Sequence, residues 1–413
     1  MFKLRENIFF KNVSVLFLGT VISQAINIGG LPILSRMYGT AEFSTLAIFM
    51  AMGLIVLSFS TLKLDYAIVR SEMLEERLAL IRAAFLSVLL VAIVVSVGLL
   101  GWSWWSTQLG FSFVSTLFIF FIANGGNQIL IYFFNSEKKY KHIATARILS
   151  TAANLIFAIV LFYWSPQLGL IVALTLANVF SFISLFYFFR KKIKAVFAIS
   201  NSRLLPTLRK NAAFIKFSTP ASFLDILSYQ VVIIFLAKYF SEEITGSFFM
   251  AMRIVLLPTA LVGNAISQVF YKDISDKFFK NTLAAVDFWK IWKILIGLGI
   301  IPFALLTFYG KEIFGFVLGE EWMMAGEMAA ILAITGFFIF VSSPTSTGFV
   351  VMNQQKYNLL NSSIRLMYTI VFLMWSAAKN DIFFFLWNYA IAEFLMIIAY
   401  NWVMIRLLNK RLT

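Results

Sequence analysis

Long apolar runs separated by short polar stretches recur from one end of the chain to the other. A helix rises 1.5 Å per residue, so about 20 apolar residues cross the ~30 Å hydrocarbon core of a bilayer. The pattern predicts twelve transmembrane helices, at about 9–34, 43–69, 83–101, 111–134, 147–164, 168–189, 214–237, 244–270, 291–309, 324–351, 364–378 and 381–405. The first run exceeds the ~7–15-residue core of a secretory signal and has no small-x-small cleavage site behind it, so it reads as a retained span.

The longest hydrophilic stretch falls between the sixth and seventh runs. It predicts an all-α integral membrane protein of two six-helix lobes around a central cavity: residues 1–189, a cytoplasmic linker 190–213, and residues 214–413. Short echoes join the halves. Phe49-Met50-Ala51-Met52 recurs as Phe249-Met250-Ala251-Met252, and Leu34-Ser35-Arg36 matches Leu236-Ala237-Lys238. With an even number of spans per half, a duplication gives parallel repeats about an axis along the membrane normal, with the substrate path between them.

Composition agrees with lipid exposure. Of 413 residues, 61% are hydrophobic and 13% charged, against about 25% charged in soluble domains. The net charge of +15 would suggest nucleic acid in a soluble protein, but the basic residues cluster at span ends. Counted with the N-terminus inside, 28 of the 34 Lys and Arg fall in cytoplasmic segments, four (Arg36, Lys238, Lys311, Lys379) fall outside, and Lys63 and Arg253 lie within spans. The positive-inside rule therefore puts both termini in the cytoplasm, and the basic excess gives affinity for an anionic inner leaflet with no need of nucleic acid.

The chain has no cysteine and one histidine, His142, read as a solvated loop residue. Thiol chemistry and His/Cys metal sites are excluded. No Gly-rich phosphate loop with Lys and Ser/Thr is present, and the outer loops are too short for a catalytic domain, so an enzyme is not expected. Trp102, Trp104 and Trp105 read as an outer interfacial anchor.

Charged groups at membrane depth cost at least ~2.5–3.5 kcal/mol on insertion scales, so those that persist face protein or a wet cavity. Ser218, Ser222, Asp225 and Tyr229 share one helical face, and Arg253 and Asn264 share another, with Pro258 between them to bend the helix. Tyr389, Glu393 and Tyr400 have helical spacing in the last span. Polar stripes also run along Thr20, Ser23, Gln24 and Asn27, along Asn124, Asn127 and Gln128, and along Arg147, Thr151 and Asn154, while Asn178 stands alone. Two readings stand for each. Asp225 and Arg253 either neutralise one another or serve separately, Lys63 and Asp65 either snorkel or face a cavity, Glu393 is either a paired carboxylate or an ion-coupling group, and the amide and hydroxyl stripes either pack helices or bind cargo.

Several segments resemble the polysaccharide transport branch of the multidrug/oligosaccharidyl-lipid/polysaccharide exporter superfamily, the Wzx-type O-antigen flippases. They are Leu34-Ser35-Arg36-Met37-Tyr38-Gly39-Thr40-Ala41-Glu42-Phe43, Leu62-Lys63-Leu64-Asp65-Tyr66-Ala67-Ile68, the span carrying Gly246, Arg253, Pro258 and Ala265-Ile266-Ser267-Gln268-Val269-Phe270, and Leu318-Gly319-Glu320-Glu321-Trp322-Met323-Met324-Ala325-Gly326. The departures are Thr40 and Ser44, where relatives often carry Pro and Gly, and Leu318 in place of Phe.

The resemblance implies alternating access in a bacterial inner membrane, moving an undecaprenyl-pyrophosphate-linked oligosaccharide outward, with polymerase and glycosyltransferases as functional neighbours. On this reading Lys63 and Arg253 contact pyrophosphate, Asn124, Gln128, Asn154 and Asn264 line the sugar path, and Arg147 sits at the cytoplasmic rim. Asp225, Glu393 and Asp65 are candidates for coupling H+ or Na+, and no cofactor is expected. The rival from the same superfamily is a cation-coupled multidrug exporter, which predicts an acidic, aromatic cavity where a flippase predicts a positive one.

Overall fold

The structure, a computed structural model, describes residues 2–71, 73–106, 110–352, 354 and 356–412. Side chains are described within these except at 2–14, 16–17, 102–106, 201–202, 264–265, 268–269, 272, 276, 279 and 410–412. The expected tryptophan anchor therefore lies outside the described side chains.

Among the described residues all regular structure is helical: α1 (Phe2–Met37), α2 (Thr40–Ser60), α3 (Leu64–Arg70), α4 (Leu74–Ser106), α5 (Phe111–Ser136), α6 (Tyr140–Phe162), α7 (Pro166–Phe189), α8 (Ile193–Ala198), α9 (Asn201–Lys210), α10 (Thr219–Tyr239), α11 (Glu242–Val255), α12 (Asn264–Phe279), α13 (Ala285–Leu318), α14 (Met323–Val351), α15 (Lys356–Lys379) and α16 (Ile382–Leu412). Twelve of the described helical segments are long and apolar enough to span a membrane, the number the hydrophobic pattern predicts. The protein is a multi-pass membrane protein.

The chain forms two compact units: Met1–Tyr38 with Ile48–Ile226, and Gly39–Ala47 with Leu227–Thr413. In the first, α6 packs on α1 and α7, and α5 packs on α4 and α7. Its core includes Leu64, Ile68, Leu80, Ile81, Ile129, Leu130, Phe133 and Leu185. In the second, α14 is the hub, touching α11, α12, α13 and α16.

Two resembling segments distant in sequence meet inside the second unit. The Glu321 carboxylate accepts from the Thr40 backbone N–H (3.1 Å), and the Trp322 ring meets Phe43 edge-on at 5.1 Å. Glu321 thereby satisfies one of the orphan N–H groups opening α2, and its charge complements the helix dipole. Gly246 permits the close approach of α11, because a methyl there would collide with the Thr40 carbonyl.

Three expectations change. The 43–69 run is not one helix: it breaks between α2 and α3, where Leu62 and Lys63 both adopt φ of 52°. Buried Leu64, Ala67 and Ile68 hold the returning α3 against the core. The 190–213 stretch is not a free linker. It folds as α8 and α9 on α4, tied by Lys210 to Glu76 (3.0 Å), Arg203 to Glu75 and Arg82 to the Ile199 carbonyl, so the first unit runs on to Ile226. His142 lies in α6, not in a loop, and stacks on Phe188 with ring centroids 4.1 Å apart.

Candidate functional site

A polar cavity of about 310 Å³ opens among α5, α6 and α7 of the first unit. It reads directly off helical spacing. Asn124, Asn127 and Gln128 of α5 and Arg147, Ser150 and Thr151 of α6 line it, and α7 contributes Asn178 and Ser181. Arg147 to Thr151 lie roughly 10–17 Å along α6 from its basic end, at 1.5 Å per residue, well within hydrocarbon depth.

The wall is organised by hydrogen bonds. Asn127 Nδ2 donates to the Asn178 carbonyl (2.9 Å), Asn124 Nδ2 to Asn178 Oδ1 (3.4 Å), and Asn178 Nδ2 to the Leu174 carbonyl (2.8 Å). Asn178, which stood alone in the sequence, is the joint that locks α5 to α7. Arg147 Nη1 donates to Thr20 Oγ1 at 2.6 Å, drawing the polar stripe of α1 to the same place. Among the described lining residues there is one guanidinium and no carboxylate.

Gln128 connects the cavity to the break after α2. Its Nε2 donates to Asp65 Oδ2 (2.6 Å), while Thr61 Oγ1 donates to Asp65 Oδ1 (3.0 Å). Asp65 is completely buried, so these bonds offset the desolvation of its carboxylate. Lys63 is also buried and is not among the lining residues. Its Nζ lies 5.4 Å from the Tyr66 ring, which meets Tyr132 of the cavity wall edge-on at 5.3 Å. Lys63 thus adjoins the cavity wall through two rings, from a left-handed backbone position. Asn154 is half-buried on α6 one turn beyond the lining residues, and is not itself one of them.

In the second unit Glu393 of α16 is completely buried and bidentately paired with Arg365 of α15, through Nε to Oε1 and Nη2 to Oε2 (3.5 Å). Tyr389 Oη donates to Glu393 Oε1 (3.2 Å), and the Tyr229 ring lies 4.9 Å from the guanidinium. Arg365 entered the sequence reading only as a cytoplasmic charge. The signal that would have found it is the stripe Ser362, Arg365, Thr369, Ser376, all buried and on one helical face.

Asp225 is exposed on α10 and belongs to the first unit, while Arg253 is half-buried in α11 of the second. Asn264 opens α12, and its side chain lies outside those described. Near Arg253 the helix opens into a π-helical stretch, Thr259–Gly263, directly after Pro258. A second π-helical stretch, Phe214–Ser218, precedes Pro220. Proline withholds the N–H that its i−4 carbonyl requires, and such openings are frequent at functional sites.

The profile of the family described as "Polysaccharide biosynthesis protein" matches residues 33–327. Among solved structures, the lipid II flippase MurJ in an inward closed conformation aligns over 94% of this chain and 87% of its own, with TM-score 0.74 and 13% identity. An inward-facing multidrug resistance MATE family transporter of the MOP superfamily aligns over 92% and 95%, with TM-score 0.66 and 14% identity. A MOP superfamily transporter from Pyrococcus furiosus, described by the reverse polarity of its binding pocket, aligns over 98% and 96%, with TM-score 0.61 and 14% identity. No curated protein sequence matches significantly. The fold is that of the MOP-superfamily transporters.

Proposed function

Because the chain belongs to the polysaccharide biosynthesis protein family, we propose that it is a flippase that moves an undecaprenyl-pyrophosphate-linked oligosaccharide from the cytoplasmic to the outer leaflet of a bacterial inner membrane by alternating access. The observation that carries this reading is the cavity of the first unit, whose described lining residues offer one guanidinium, amides and hydroxyls, and no carboxylate. A glycan and a pyrophosphate cannot enter hydrocarbon unaided, whereas a prenyl tail can stay in lipid. The translocating surface therefore has to offer hydrogen bonds to sugar and positive charge to phosphate, and a cavity for cationic drugs would reverse that polarity. The likeness to a lipid II flippase supports the same class of cargo.

In this reading Arg147, expected at the cytoplasmic rim, is the phosphate contact of the first unit, its guanidinium suited to bidentate recognition. Asn124, Gln128 and Asn154 of the first unit bind sugar hydroxyls, and Asn264 is a sugar-contact candidate of the second. Arg253 is the corresponding candidate of the second unit, and Lys63 acts through the Tyr66 and Tyr132 rings. Coupling to H+ or Na+ falls to the candidate carboxylates Asp225, Asp65 and Glu393, of which Asp225 is exposed. Glycosyltransferases act before the protein and a polymerase after it.

The experiment is a proteoliposome assay with a fluorescent undecaprenyl-pyrophosphate oligosaccharide. The intact chain should expose the glycan to an external lectin, Arg147→Gln should slow this at least tenfold, and Arg147→Lys should retain part of the rate. Cationic dye efflux without glycan movement would establish the multidrug exporter instead.

A further inference from the structure

A second cavity, of about 330 Å³, lies elsewhere in the first unit and has the opposite character. Its floor is Val88 of α4, Phe189 of α7 and Val196 of α8, all buried, and its rims are Leu86, Leu89 and Phe197, all exposed. Phe197 is 69% exposed, a large apolar surface that only lipid or another apolar body would cover. One charged residue, Arg82, belongs to the lining.

The groove is polarised along the membrane normal. Arg82 lies close to the basic segment Arg190–Lys192, because α7 ends at Phe189 on the same wall. From Arg82 to Leu89, α4 rises ~10 Å, well within the ~15 Å depth of one leaflet. Ile122 and Phe182 close the deep end. The guanidinium donates from Nη1 to the Ile199 carbonyl. Arginine carries five N–H donors, so donors remain for an anion. Exposed Arg190, Lys191 and Lys194 stand on the adjoining turns.

We propose that this groove is a binding site for one anionic phospholipid of the inner leaflet, its headgroup phosphate on Arg82 and one acyl chain between Leu86, Leu89 and Phe197. The charge at the interfacial end and the apolar lining at depth match the two ends of such a lipid. A bulk annular lipid requires only a smooth apolar face, whereas here a recess and a fixed guanidinium coincide. The site is separate from the polar cavity and stands whether or not the chain carries glycan.

The test is native mass spectrometry of the full chain released from nanodiscs containing equal amounts of phosphatidylglycerol and phosphatidylethanolamine. One retained lipid should be phosphatidylglycerol by about fivefold, the preference that ~1 kcal/mol from one basic residue near a surface confers. Arg82→Gln should bring the ratio near one. Leu89→Trp, which fills the groove and touches no charge, should abolish retention at unchanged thermal stability. If Leu89→Trp retains phosphatidylglycerol as before, the attraction resides in the basic collar and the groove proposal fails. Equal retention of both lipids by the intact chain also overturns it. Displacement of phosphatidylglycerol by stoichiometric undecaprenyl phosphate would overturn it too, giving the groove to the cargo's tail.

Discussion

At Glu393 removing one charge and removing both lead to different outcomes. Glu393→Gln leaves the Arg365 guanidinium buried without its counter-charge, and breaking a buried pair from one side costs about 3–5 kcal/mol. The double variant Arg365→Met with Glu393→Leu removes both desolvation penalties and should be near neutral for stability. Thermal unfolding of the purified variants checks the order: a large loss for the single change and recovery in the double. If the double variant also flips cargo at the native rate, the pair serves the fold alone. Asp65 is satisfied by hydrogen bonds instead of an opposite charge. Asp65→Ala orphans the Gln128 amide and the Thr61 hydroxyl, and should cost about 1–3 kcal/mol. It should also loosen Gln128 in the cavity wall, read as lower glycan movement at a temperature where the protein remains folded. The sequence singled out both carboxylates, but the partner of Glu393 was hidden because Arg365, at the edge of an apolar run, is also what an interfacial anchor looks like.

Among elements, the breaks carry more information than the helices. The α2–α3 break has no proline or glycine to announce it: Thr61-Leu62-Lys63 reads as continuous helix, and only the burial of α3 sustains two left-handed residues, at ~1–2 kcal/mol each. The opening at Pro258 was legible because proline removes an N–H. Pro258→Ala should restore that hydrogen bond, raise the melting temperature and slow glycan movement if the opening takes part in transport; unchanged transport would mark the bend as passive. Close helix approach was half legible. Gly246 belongs to a resembling segment, but its reason, contact with the α2 N-terminus, lies some 200 residues away in the chain. Gly246→Ala forces a methyl against a backbone carbonyl that cannot swing aside, so its cost should reach the upper end of the ~1–3 kcal/mol range for overpacking. Fluorescence-detected thermal unfolding would show it.

At the scale of the whole molecule, the orientation expected from charge counting can be tested cleanly because the sequence has no cysteine. Lys194→Cys should react with an impermeant maleimide only after the membrane is opened, and Asn380→Cys should react in intact cells. The reverse pattern would invert the topology and turn both proposed sites toward the wrong leaflet. Family membership and the MOP-type fold stand apart from this result, since neither depends on which face is cytoplasmic.

The sequence by itself determined the number of spans and the stripes of Asn124, Gln128 and Arg147. Each of these follows from hydrocarbon thickness and helical period, which act locally on the chain. Tertiary structure decided which stripes meet. It brought Asn178 to Asn127, Thr20 to Arg147, Gln128 to Asp65 and Arg365 to Glu393, and it set Lys63 beside the Tyr66 ring. The reason is that a buried polar group is indifferent to sequence distance: it takes whichever partner the packing of apolar faces brings within 3 Å, and nothing in the local pattern names that partner in advance.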